Sequence, residues 1–308
     1  MLDEILSCQS LPSLPSVAVR VIELTSNPDV SLDELARTIQ TDQGLAAKVL
    51  RTVNSSFYGL RQQCSTIQKA LVMLGLGPIK TLALGFSLVS SLTEHELSEE
   101  FDQIEYWRRA LYTAVAAKTF AETAKLTCAD EAFLGGLLQD VGQMAMLAAL
   151  GPTYLMVLKR ANGDHNAVIK LELEEFELQH ADVGAMLAER WRLPPELVVP
   201  IKYHERPTAA PGEYAQIVRS VGIGRLAHEV LTFEQTAAPL RRLYSRCEQW
   251  FGLGATDVDD VMKRVGDSVR ELKNVFALDT GPFANVEEVL EHAEQQMAEL
   301  ARHEPAMS

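Results

Sequence analysis

Cysteine is scarce in this chain and never closely spaced: Cys8, Cys64, Cys128 and Cys247 are the four in 308 residues, and no Cys-x-x-Cys pair occurs. That excludes a disulfide scaffold and a cysteine zinc site, and leaves reduced structural thiols, the usage expected of a cytoplasmic protein. Basic residues are outnumbered, 28 Lys and Arg against 42 Asp and Glu, for a formal net charge of −14. A chain of that sign lacks the electrostatic footprint of a nucleic-acid binder. Its most concentrated basic patch, "RRLYSR" at Arg241–Arg246, reads as the solvated face of a helix. No apolar run reaches the roughly 18 residues a transmembrane helix needs. The opening "MLDEILSCQSLPSLPS" carries acids and lacks the basic n-region of a secretory signal. Neither nucleic acid nor membrane is therefore expected as a partner.

Strand alternation, internal repeats and low-complexity tracts are missing as well. What is present is helical period nearly everywhere, with 47% hydrophobic residues to build a core. Val17, Val21, Ile22 and Leu24 mark a first helix, stopped at Asn27-Pro28. Ser31 with Glu34, and Ser65 with Gln68, have capping-box spacing, and Asp42 suits a helix start. Gly59 breaks one helix and Gly75 closes another, and Pro78 suits a first turn. Long helices are expected over Trp107–Ala124 and, without interruption, Glu131–Leu150. Arg206–Glu213 and Leu278–Asn285 read as loose linkers, and Asn285 caps a last helix over Val286–Ala301. In that helix Val286, Val289, Leu290, Ala293, Met297 and Leu300 share one face, which is expected to dock on the body or on a second copy. The fold class is all-α.

Several ordered motifs then add to this reading. They are the Leu-Pro-x-Leu-Pro run at Leu11–Pro15, "ELA..I..D" at Glu34–Asp42, "AKVLR..NS..YG" at Ala47–Gly59 and "IQKAL..LG" at Ile67–Gly75. "AFLGGLLQDVG" and "LQHADVGAMLAERWRLP" extend the likeness to about His228. The chain in these stretches resembles the HDOD family, bacterial signalling proteins related to the HD superfamily of metal-dependent phosphohydrolases. The resemblance implies an N-terminal helical bundle over 1–92 packed on a degenerate HD-like bundle over 93–231, together an HDOD domain. The helical extension over 232–308 matches nothing recognised.

In the HD enzymes, imidazoles and carboxylates hold one or two divalent cations, which lower the pKa of a bound water and clamp phosphoryl oxygens. Carried over residue by residue, the first histidine falls at Trp107-Arg108-Arg109-Ala110, where Arg109 stands. The His-Asp pair reads Gln139-Asp140, and His180 and His204 match the later histidines. Between Val218 and Gly224, where a closing aspartate is expected, there is no carboxylate. Arginine cannot ligate a cation and would repel one. The site is accordingly read as vestigial, with no catalytic residue, no metal and no cofactor. Arg109 is expected to aim into the former metal cavity and pair with Asp140, with His180 or His204 uncoordinated nearby. His95, His165, His228, His292 and His303 lie in polar surroundings and are expected at the surface.

The turn formed by Asn54, Ser55, Phe57, Tyr58 and Gly59 admits two readings, a helix cap with an aromatic packing anchor or a partner-binding corner. The resemblance implies a non-enzymatic signal-transduction module that binds signalling proteins, with a homodimer as one arrangement. Two alternatives remain open: a metal-dependent nucleotide or cyclic-dinucleotide phosphohydrolase with a reduced metal site, and a nucleotide sensor using the vacated cleft.

Overall fold

Most helix ends in the N-terminal third sit where local chemistry puts them. The computed structural model describes residues 5, 7, 8, 10–27, 29–94, 98–232, 236–282 and 285–303, all helix or loop with no strand among them. Pro28, His95 and the side chains of Leu300 and His303 lie outside the described part. Helices α1 (Ser16–Thr25), α2 (Leu32–Gln40), α3 (Gln43–Val53), α4 (Ile67–Leu74) and α5 (Leu76–Thr93) follow in order. The Ser31 hydroxyl accepts from the Glu34 N–H, and the Asp42 carboxylate accepts from the Leu45 N–H at 2.9 Å. One cap is displaced by a residue: Thr66, not Ser65, caps α4, accepting from the Lys69 N–H at 3.1 Å. Thr66 has the extended backbone a cap needs, with ψ of 154°, and its own hydroxyl then reaches the third helical N–H.

The middle of the chain gives α6 (Gln103–Thr123), α7 (Ala129–Leu138), α8 (Val141–Leu150), α9 (Pro152–Ala161), α10 (His165–Phe176), α11 (His180–Arg190) and α12 (Pro195–Tyr203). Helix α6 is buried around its whole girth from Arg109 to Ala121. The long helix expected over Glu131–Leu150 is two helices, α7 and α8, broken at Gln139-Asp140. The proposed loose linker at Arg206–Glu213 carries two short 3-10 turns, Pro207–Ala209 and Gly212–Tyr214. Four more helices follow among the described residues: α13 (Ala215–Thr232), α14 (Ala237–Phe251), α15 (Ala255–Phe276) and α16 (Val286–His303).

One hydrophobic cluster runs from Ile5 to Ala293, so both bundles and the extension share a core. Phe276 of α15 sits with its ring centroid 4.2 Å from Phe86 of α5 and 6.2 Å from Phe133 of α7, tying all three parts together. The apolar face of α16 docks on this body: Val286, Leu290 and Ala293 are buried against α14 and α15. Among the described residues, two stretches are long and apolar enough to cross a membrane by length and composition, which corrects the expectation that none would be. They are Leu76–Thr93 and Ala129–Leu150, and 61% and 83% of the respective windows are buried in the fold. The first is α5 and the second spans α7, the break and α8; both are mostly buried against the rest of the fold.

One contact matters most for the site. A Cβ on Gly142, in the first turn of α8, would lie 1.8 Å from the His180 carbonyl oxygen and 2.7 Å from the Gly184 amide. Only a residue without a side chain lets α8 cross the start of α11 this closely. That crossing brings the α7–α8 break beside His180.

Candidate functional site

Asp140 interrupts the helix rather than sitting within it. Its φ of −97° and ψ of 13° end the helical run begun in α7. Its side chain caps nothing and is free to turn inward. There Arg109, from α6, donates from Nε to Asp140 Oδ2 at 2.6 Å, with side-chain exposures of 8% and 2%. The pairing expected from sequence is thus in place. Gln139 is fully buried and supports the same oxygen, donating from Nε2 to Asp140 Oδ2 at 3.1 Å and to Thr113 Oγ1 at 3.3 Å.

The other carboxylate oxygen, Asp140 Oδ1, is buried and has no hydrogen-bond partner. The Nε2 atoms of His180 and His204 each lie 3.3 Å from it, and 3.4 Å from one another. Both imidazoles are fixed from behind. His180 Nδ1 meets the Glu172 carboxylate at 2.8 Å, and His204 Nδ1 donates to the Ile201 carbonyl at 2.7 Å. With only Nδ1 protonated, both Nε2 lone pairs would face Asp140 Oδ1; with both nitrogens protonated, each Nε2–H would point at it. An outer-shell acceptor on Nδ1 is how metal-ligating imidazoles are commonly held.

Two further donors converge on the same point, and the sequence reading missed both. Glu205 Oε1 lies 3.1 Å from His204 Nε2 and 3.4 Å from Arg109 Nη2, and His165 Nε2 meets Glu205 Oε1. One ligand atom from each of Asp140, His165, His180, His204 and Glu205 falls within 4.8 Å of all the others. His165 is therefore not a surface residue, because α10 starts beside the cluster with Asp164 as its cap. His228 is also buried, at 1% exposure, beside Glu105 at 3.3 Å. His292 is exposed as expected. The available signals were weak: Glu205 follows His204 directly, and His165 follows a helix-capping aspartate.

Charge accounting explains the perturbed ionisation. The buried carboxylates of Asp140 and Glu172 and the Glu205 side chain, itself 6% exposed, share the cluster with one guanidinium, so neutral imidazoles would leave two negative charges uncompensated. Burial opposes ionisation of Asp140, but the Arg109 charge and the two imidazoles outweigh it and hold it well below the usual carboxylate range. Glu205 is likewise held well below that range, by His165 and His204 against burial. Burial lowers His180, yet Glu172 and Asp140 raise it to about 10, and His204 is raised by Glu205 and Asp140. His165 is lowered to about 4 by burial and by Arg109. Two imidazolium protons, or one divalent cation, would balance the cluster.

A cavity of about 260 Å³ reaches Arg109 and His165 from one side. Glu100, Asp102 and Glu105 line it against two cations, Arg109 and Lys159, which disfavours a multiply charged anion there.

The Asn54–Gly59 turn makes the helix-capping and packing contacts of the first reading, with Asn54, Ser56 and Gly59 exposed. Asn54 donates to the Leu50 and Cys64 carbonyls, both at 2.8 Å, and accepts from the Cys64 N–H at 2.7 Å. Phe57 packs on Phe133, Tyr58 lies under the Lys118 ammonium at 5.1 Å, and Gly59 takes a φ of 57°. The buried Ser55 hydroxyl has no hydrogen-bond partner. Lys118 is itself a buried hub, paired with Asp130 at 2.7 Å and Glu122 at 2.8 Å, which no sequence motif indicated.

Comparison with known proteins places this geometry. A model of the HDOD domain matches residues 11–207. An HDOD domain protein of unknown function from Geobacter sulfurreducens superposes with a TM-score of 0.73 at 22% identity, over 90% of this chain and 98% of its own. A candidate signal transduction protein from Marinobacter aquaeolei VT8 superposes with a TM-score of 0.61 at 25% identity, over 87% of this chain and 58% of its own. An uncharacterized protein of Treponema pallidum (strain Nichols) is 27% identical over 227 residues, which are 73% of this chain and 43% of that protein. The chain thus spans less than half the length of this curated relative.

Proposed function

The chain belongs to the HDOD domain family, and on that premise we propose that it is a non-enzymatic signal-transduction module that works by binding signalling proteins. The observation that carries this reading is the Arg109 guanidinium on Asp140 inside the buried cluster. A phosphohydrolase of the HD type needs its aspartate free to share between cations and needs room for a phosphoryl group beside them. Here Oδ2 is taken by a permanent cation and by Gln139, and Arg109 fills space where a ligand would stand. The acidic lining of the adjoining cavity speaks against a nucleotide sensor entering from that side.

One observation favours a second component. The unpartnered Asp140 Oδ1 and the converging His165, His180, His204 and Glu205 are chemically suited to a single divalent cation. In that case Asp140 and the three histidines with Glu205 would hold it, and Glu172 and the Ile201 carbonyl would orient two of the imidazoles. Such an ion supplies Lewis acidity and a more acidic bound water when a coordination position is open. With Arg109 in place, its role in this reading is to balance buried charge and stiffen the α6–α8–α11–α12 junction.

The test combines elemental analysis of the purified protein with a hydrolysis screen over phosphomonoesters, phosphodiesters and cyclic dinucleotides in Mn²⁺ or Fe²⁺. No turnover, with or without one bound ion per chain, is the expected result. Turnover that is abolished by Asp140→Asn would overturn the non-enzymatic reading.

A further inference from the structure

The strongest feature outside the buried cluster is a groove between the end of α12, the middle of α13 and one face of α14. Its volume is about 660 Å³, and Arg206, Arg225, Arg241, Arg242 and Arg246 line it together with Trp250. Along the chain, the "RRLYSR" patch is merely a solvated helix face, and Arg241, Arg242 and Arg246 are indeed exposed. Folding adds what the sequence does not reveal, since Arg225 on α13 and Arg206 beyond α12 line the same groove.

Five guanidinium groups gather here on a chain whose net charge is −14. Two carboxylates lie nearby. Glu229 takes Arg225 Nη1 at 2.6 Å and Arg242 Nη2 at 2.8 Å, which holds one guanidinium from each helix in a fixed relation. Glu205 lines the inner end, but it is engaged with His165, His204 and Arg109 of the buried cluster. Arg246 is oriented without losing its charge: it lies over the Trp250 ring at 5.2 Å and donates to the neutral Gln249 amide at 2.7 Å. Arg206 and Arg241 have no ion-pair partner among the described residues. Cations confined this way repel one another, and a multiply charged anion relieves that repulsion.

We propose that this groove binds an oligophosphate group, two or more linked phosphates carried either by free polyphosphate or by a nucleoside di- or triphosphate. Guanidinium forks match phosphate oxygens in pairs, and several arginines from three separate segments suit linked phosphates better than a single phosphate. The volume falls in the range of small-molecule pockets, roughly 300–1,000 Å³. Helix α14 supplies three of the five arginines and Trp250, and it lies outside the 11–207 stretch that matches the HDOD model. The site therefore gives the extension a role of its own, apart from the Asp140 cluster.

The experiment is calorimetric titration of the full chain with tripolyphosphate, ATP, GTP and orthophosphate, in 50 mM and 200 mM KCl. Tripolyphosphate should bind at least ten-fold more tightly than orthophosphate, and the higher salt should weaken it several-fold. Equal affinity for tripolyphosphate and ATP assigns recognition to the phosphate chain, and ten-fold tighter ATP or GTP adds the nucleoside. Arg241→Gln with Arg246→Gln, at exposed positions, should weaken binding at least ten-fold. Arg206→Gln with Arg241→Gln provides a second pair should the first disturb folding. Absence of oligophosphate binding, affinity unchanged in both double variants, or binding of single-stranded RNA without any of tripolyphosphate would overturn the proposal.

Discussion

Replacing Arg109 by alanine tests the central ion pair directly. Both partners are removed from water, at 8% and 2% side-chain exposure, and the Nε–Oδ2 distance is 2.6 Å. At that depth the solvent screening that makes surface pairs nearly worthless does not apply. Alanine would leave Asp140 with only the Gln139 amide at 3.1 Å on Oδ2, and would remove the Nη2 contact to Glu205 at 3.4 Å. Stranding a buried charge in this manner costs about 3–5 kcal/mol. The double change Arg109→Ala with Asp140→Asn removes both charges and should recover about 2 kcal/mol or more of that loss, a coupling normal for residues in contact. Urea denaturation at pH 7 in EDTA, followed by far-ultraviolet circular dichroism, measures both. A divalent cation should also restore Arg109→Ala, by about 2.7 kcal/mol at a hundred times its dissociation constant. A loss below about 1 kcal/mol for Arg109→Ala, or a double variant no more stable than the single, would refute the charge argument.

Three other outcomes follow from the same packing. Gly142→Ala should cost more than about 3 kcal/mol in thermal or urea unfolding, because its Cβ meets the His180 carbonyl at 1.8 Å; an unchanged midpoint would show that α8 and α11 do not cross there. Truncation after Gly281 uncovers the surface under Val286, Leu290 and Ala293 and should lower stability by about 3–6 kcal/mol, read as a lower melting temperature, whereas an unaltered melt and elution mass would sink the docking of α16. His228 is buried and lowered from 6.5 by burial, against Glu105, so the unfolded chain takes up a proton that the folded one resists. Its contribution to stability should then fall as pH drops below about 6.5, so His228→Gln should lose less stability than the parent between pH 6.5 and the carboxylate range; an identical pH profile in the variant would exclude this contribution.

The all-α class and most helix ends were legible in the sequence, since caps and periodicity act within a turn or two of chain. Asp42 reaches the Leu45 amide whatever the rest of the protein does, and the α16 stripe announces a face that must be covered. The motifs also picked out Arg109, Asp140, His180 and His204, which the fold brings together, and the Arg109–Asp140 pairing followed from the cost of burying a lone carboxylate. The break at Gln139-Asp140 was not legible, because its frame is as apolar and helical as the segments on either side. Nor was the arrival of His165 and Glu205, which stand on α10 and just beyond α12 and share no local pattern with Asp140. Arg206 and Arg225 in one groove with "RRLYSR" belong to the same kind of information. Local propensity is set by neighbours in sequence, whereas these encounters depend on how closely packed helices cross, and Gly142 shows the cause. A missing Cβ looks like a mild helix weakness along the chain, and only in three dimensions is it the gap through which His180 reaches Asp140.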